Sequence, residues 1–348
     1  MKIALDAMGG DKAPAAVVEG AAHASEVTGD ELILVGKADS LNSLLASQAY
    51  SRPIHVIDCP DYLRMDEPGS HAIKGKRQCS ITRAIELLKE GEVQAVVTAG
   101  NSAGAVASAI HLLGCFPGIK RPALACVMPT VSTSVVVLDV GANLEPQPYH
   151  LAQAGILGEI YAQEAVNIEL PQVGLLNVGV ESNKGTRFIR RTFKLLSKAV
   201  QNFYGNVEGD DLFRGRVDVA VCDGFVGNVI LKACESWGES LWHLWEQQVE
   251  QVFGTSAEFE CFKKTLNKAY RLIDYTQAGG APLLGVKGTV VIAHGRSTGK
   301  AIANAIRLAD DMINRGIVTN LQERFQEDEV SKRLARVSPG VMFLRWRR

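Results

Sequence analysis

Strand-length apolar runs recur along the whole chain with longer helical patterns between them, and that alternation limits the fold more than any other feature. The runs are "KIAL", "ELILVG", "IHVID", "VQAVVTAG", "ALACVM", "SVVVLDVG", "VGLLNVG", "VDVAVCDG" and "TVVIAHG". Several are apolar at consecutive positions, the pattern of a strand covered on both faces rather than one. Stretches such as "SITRAIELLKEG" and "KAIANAIRLADDMINRG" place apolar residues at helical spacing. The expected class is α/β, with a doubly wound, largely parallel, Rossmann-like sheet. No repeat, low-complexity linker or abrupt change of composition divides the 348 residues, so a single α/β domain over 1–348 is expected.

From 235 to 274 the strand signal disappears. Trp237, Leu241, Leu244, Trp245, Val249 and Val252 keep helical spacing, and three of the four tryptophans fall within nine residues. This helical arm is a candidate contact with a dimer partner, another protein or a membrane surface. The formal net charge of -1 gives no reason to expect nucleic acid. Met1 to Ala7 is too short and too polar for a signal peptide, and no apolar run reaches the roughly 18 residues of a spanning helix. The seven cysteines are scattered without a C-x-x-C, and the seven histidines form no H-E-x-x-H. That usage fits a reducing cytoplasm and spells out no metal site. No cofactor is expected.

Ligands of open α/β sheets bind beyond the carboxyl ends of the strands. Glycine and polar residues gather at six such ends: "DAMGGD", "TAGNSAG", "DVGAN", "NVGVESNKG", "CDGFVGN" and "AHGRSTGK". One loop of this kind is ordinary turn chemistry; six together point to a site in a single cleft. "GRSTGKA", Gly295 to Ala301, has three residues between its glycines and Ala301 after the lysine, so it is not a P-loop. It is expected to open a helix whose free N–H groups suit a small anion, with Gly295 at the edge. "GNSAG", Gly100 to Gly104, fits G-x-S-x-G between a strand and a helix. A serine thioesterase or esterase using Ser102, with Asp139 or Asp223 and then His294, is therefore an alternative.

At these loops the chain resembles the PlsX family of bacterial phosphate acyltransferases. The resemblance runs over roughly Lys2 to Arg315 through "DAMGGD", "AGN" with "GIKRPALA", "LDVGAN", "VGLLNVGVESNKG", "GNVEGDDL", "CDGFVGNVILK" and "GGAPLLGVKGTVVIAHG". It implies transfer of a fatty acyl group from acyl carrier protein to inorganic phosphate. The product, an acyl phosphate, serves phospholipid synthesis. It also implies a fold shared with phosphotransacetylases and isopropylmalate-type dehydrogenases, a homodimer, and a cytoplasmic protein peripheral to the cell membrane. There a membrane acyltransferase takes the product on to lysophosphatidic acid. Ser102 stands where the family keeps Thr, which suits a hydroxyl that binds rather than attacks. The arm and the final "FLRWRR" are candidate lipid contacts.

Phosphate brings its own anionic oxygen, so this reaction needs binding, alignment and oxyanion stabilisation rather than a protein nucleophile. Lys184 is the first choice for a cation on phosphate. Asn101, Ser102, Asn143 and Asn228 are neutral donors for phosphate or oxyanion. His294 is a donor to the oxyanion or the leaving sulfur, and Asp223 orients His294 or a lysine. Gly9 and Gly10 let the first loop turn tightly. Asp6 is expected to accept from a buried Lys or His, and Asp11 to cap the helix starting near Pro14.

Overall fold

A computed structural model of the chain describes residues 1–50, 52–74, 78–253, 264–266 and 279–327. Among these residues the framework is one sheet of eleven strands in the order β3-β2-β1-β4-β11-β10-β5-β6-β9-β7-β8. The strands are β1 (Lys2–Asp6), β2 (Glu31–Gly36), β3 (Ile54–Asp58), β4 (Ala95–Thr98), β5 (Ala123–Pro129), β6 (Ser134–Leu138), β7 (Val173–Leu176), β8 (Phe203–Val207), β9 (Val219–Val221), β10 (Ala281–Leu284) and β11 (Thr289–Ile292). Seven of the ten neighbouring pairs are parallel, as expected. The three antiparallel pairs, β11 with β10, β10 with β5 and β5 with β6, lie together in the middle. They divide the sheet into two parallel blocks that run in opposite senses.

Two strands are absent from the apolar runs. β8, "FYGNV", is a part-polar edge strand, and β10, "APLL", is short and contains Pro282, which donates no ladder hydrogen bond.

Helices cover both faces. On one lie α1 (Ala15–Val27), α2 (Ala38–Leu45), α6 (Pro148–Val166), α7 (Arg187–Ala199), α10 (Gly299–Asn314) and α11 (Ile317–Glu327). On the other lie α4 (Ser80–Glu90), α5 (Ser102–Leu112), α8 (Gly209–Arg214) and the start of α9 (Gly224–Phe253); α3 (His71–Lys74) is one short turn beside α5. Successive strand residues feed alternate cores: Val136 and Leu138 enter the first, Val135 and Val137 the second. Two-sided burial is why the runs are apolar without alternation.

The expected arm is the far half of α9 and is continuous with the helix that starts at Gly224. Trp237, Leu244 and Trp245 are exposed on it, and Trp237 and Leu241 line a cavity. Its remainder towards 274, apart from 264–266, lies outside the described residues, as does "FLRWRR".

Candidate active site

The three loops following β1, β4 and β11 lock together through glycine. A Cβ on Gly9 would lie 2.5 Å from Asp6 Oδ2 and 2.8 Å from Gly100 Cα. Gly10, at φ +111°, lies between the carbonyls of Ala99 and Gly295, and Asp11 N–H donates to Gly295 O at 2.8 Å. Asp6 is buried and accepts from Ser80 Oγ at 2.6 Å and Thr98 Oγ1 at 2.8 Å, so hydroxyls take the place of the expected Lys or His. Asp11 lines the cavity and does not cap α1, whose N-cap Pro14 has no side-chain bond. Gly9→Ala is expected to cost about 1–3 kcal/mol, the range for overpacking a filled site; a thermal melt against wild type checks it.

The loops following β6 and β9 form the second group. Asp139, 2% exposed, accepts five hydrogen bonds: Leu124, Gly141 and Ala142 N–H on Oδ1, Asn143 N–H and Nδ2 on Oδ2. Gly224 N–H donates to Asn143 O, fastening the start of α9 to this loop.

Between the groups runs an open cavity of about 1920 Å³. Asp11, Gly100, Ser102 and His294 to Ser297 line it from the first group, and Val140 to Ala142 with Asn228 from the second. Val106, Ile110, Leu124, Cys126, Met128, Leu231 and Leu241 give it an apolar wall. Five of the six loops therefore share it. The sixth, after β7, does not line it: Lys184 is exposed there, its stem against Gly179.

Two expected donors are turned inward. Asn101 caps α5, accepting from Gly104 N–H, while its Nδ2 donates to the carbonyls of Arg64, Met65 and Glu67. Asn143 Nδ2 is held by Pro122 O and Asp139. Both shape the walls. Asn228 differs: it lines the cavity, and among the described residues its amide has no hydrogen-bond partner.

Asp223 Oδ1 accepts from Val226 N–H and caps α9, so it does not orient His294. Gly295 lines the cavity, and the loop after it does open a helix, α10. The start of that helix already has an acid beside it, since Glu19 Oε2 lies 2.5 Å from where a Gly299 Cβ would be. Ser102 lines the cavity as the first residue of α5, with an ordinary backbone; Asn167 is the one non-glycine residue of positive φ among those described. A nucleophile elbow requires a strained serine, and this is not one.

Comparison with known proteins adds the lineage. A family profile described as "Fatty acid synthesis protein" matches residues 1–320. The chain belongs to this family. A phosphate acyltransferase of Desulforamulus reducens is 40% identical over 332 residues, 94% of this chain and 98% of that one. The phosphate acyltransferase of Syntrophobacter fumaroxidans is 43% identical over 331 residues, 94% of this chain and 92% of its own. In fold, the chain is similar to a phosphotransacetylase from Streptococcus pyogenes, with TM-score 0.58, 17% identity and coverage of 92% and 93%. A branched-chain phosphotransacylase from Enterococcus faecalis gives 0.52 at 12% identity, covering 90% and 99%.

The sequence reading missed Arg296 of the cavity and, on α9, two further residues, Lys232 and Glu235. With Asn228 they stand at i, i+4 and i+7 on α9, a spacing that puts all three on one helical face. That signal is present in "GNVILKACE", which straddles the strand-end loop "CDGFVGN" and the expected start of the arm at 235. Lys232 is exposed to the cavity with no ion pair among the described residues.

Glu235 is 7% exposed and lies with Oε2 3.4 Å from His294 Nε2. Burial pushes the Glu235 carboxyl up to about 7, with Arg296 opposing and Glu239 adding to the rise. Burial, then Arg296 and Lys232, lower the imidazole. Both shifts favour the neutral forms, so the contact is not an ion pair at neutral pH. Arg296 N–H donates to His294 Nδ1 at 3.1 Å, which places the ring proton on Nε2. A carboxyl raised in the folded state stabilises below its unfolded value near 4.5 and loses that contribution as pH rises through about 7. Wild type is expected to lose about 3 kcal/mol between pH 4.5 and 8 from this group, and Glu235→Gln to lose none of it. Urea titrations across that range check the difference.

Proposed function

We propose that the chain transfers a fatty acyl group from the thioester of acyl carrier protein to inorganic phosphate, releasing an acyl phosphate and the free thiol. The observation that carries this reading is the cavity itself. It joins an apolar wall, suited to an acyl chain, to the polar groups of Asn228, Lys232, His294 and Arg296, and its Ser102 has no strained backbone. Lys232 and Asn228 hold the phosphate oxygens, and main-chain and side-chain donors near Ser102 and His294 stabilise the oxyanion. Lys184, one loop away, is retained as a second phosphate cation.

Acyl carrier protein as donor, a homodimer, and peripheral attachment to the inner face of the cell membrane belong to the same reading, supported by the relatives' activity and by exposed Trp237, Leu244 and Trp245 on α9. Among the described residues no helix is long and apolar enough to cross a membrane, and no cluster of His, Cys, Asp and Glu is grouped to hold a metal ion.

Purified protein mixed with long-chain acyl–acyl carrier protein and labelled phosphate tests the reading: label enters an acyl phosphate in step with free carrier protein. Free fatty acid formed without any phosphate requirement overturns it. Ser102→Thr separates the esterase alternative, since a binding hydroxyl tolerates the change within about threefold while a nucleophile loses on the order of 10³-fold or more.

A further inference from the structure

We propose that Glu235 is the proton donor to the departing thiolate, working as a pair with His294; this rests on the acyl phosphate reading above. The geometry singles out this carboxyl. It is buried, it lines the cavity, its Oε2 makes no hydrogen bond among the described residues, and His294 Nε2 lies 3.4 Å from that oxygen. A buried acid with an unmatched oxygen costs stability, and such groups persist where the chemistry needs them.

The proton balance of the reaction gives it a task. As an oxygen of hydrogen phosphate bonds to the acyl carbon, its hydrogen leaves. As the C–S bond breaks, sulfur takes the electron pair and needs a proton. Glu235 supplies the second, and the proton lost by phosphate restores the carboxyl. Between the two events Glu235 is a carboxylate, and His294 Nε2–H donates to it. Around the pair stand Lys232, Cys234 and Glu239 on α9, Arg296 beyond β11, Asp11 beyond β1 and Cys126 on β5. The cations limit the cost of that transient charge, and burial with Glu239 favours the protonated resting form.

A proton donor to sulfur matters for a poor leaving group and not for a good one. The experiment compares one acyl chain carried on an alkyl thiol, acyl-pantetheine, with the same chain on an aryl thiol, using Glu235→Gln. The expected result is a loss of about 100-fold in kcat on the alkyl thioester and less than threefold on the aryl thioester. Equal losses on both, or none on either, overturn the proposal while leaving the acyltransferase reading intact. If wild type forms no acyl phosphate from either thioester, both fall. Should the variant not fold, wild type alone decides. The ratio of alkyl to aryl rates is expected to fall as pH rises through 7, because phosphate ionisation is common to both substrates and cancels. A ratio that stays flat overturns the proposal.

Discussion

Asp139→Ala is expected to lower the unfolding free energy by about 3–5 kcal/mol and to abolish activity with it. The carboxylate accepts from five N–H donors that join the end of β6, the start of β5 and the loop to Asn143. A bond to a charged acceptor contributes roughly 1.5–3 kcal/mol, and a buried donor left without a partner loses about 1–3. Partial relaxation of the loop holds the sum below five such bonds. Asp139→Asn is the control. It keeps an oxygen for the three donors on Oδ1 and replaces the acceptor facing Asn143, so about half the loss is expected. Denaturant midpoints at equal slope measure both. A loss under 1 kcal/mol for the alanine variant would show that the loop does not depend on this carboxylate.

The second large effect is catalytic. Lys232→Ala is expected to reduce kcat/KM for phosphate by about 100-fold, near 3 kcal/mol of transition-state stabilisation. Of the cations lining the cavity, Arg296 is partly engaged by Glu239 at 3.8 Å, and Arg121 lies two residues before β5. Lys232 stands midway along the α9 row, one turn from Asn228 and less than one from Glu235. Stability is expected to be unchanged, because the side chain is exposed. Initial rates at varied phosphate, with acyl donor saturating, separate binding from turnover. A phosphate KM within twofold of wild type would move the anion out of this end of the cavity, toward the loop that carries Lys184.

The α/β class, the strand-end loops and the lineage were legible in the chain because each is written locally. Two-sided burial makes a strand uniformly apolar, and glycine marks where backbone must pack on backbone, as Gly9 does against Gly100. Apolar pattern, however, is blind to strand direction. The reversal at β10 and β5, which sorts the loops into two groups facing one cavity, depends on pairing between Leu283 and Leu124, far apart in sequence. Residue type is equally blind to partners. Asn101, Asn143 and Asn228 are alike as loop asparagines, yet two of them spend their amides on carbonyls supplied by other segments and only the third faces the cavity open. Asp223 and Glu235 are both acids near α9; the one at the helix start satisfies its N–H groups, and the one three turns in meets His294. Local sequence set what each segment becomes, through burial and backbone sterics. Only the tertiary structure decided which polar groups remain unsatisfied, because hydrogen-bond satisfaction depends on neighbours brought together by folding.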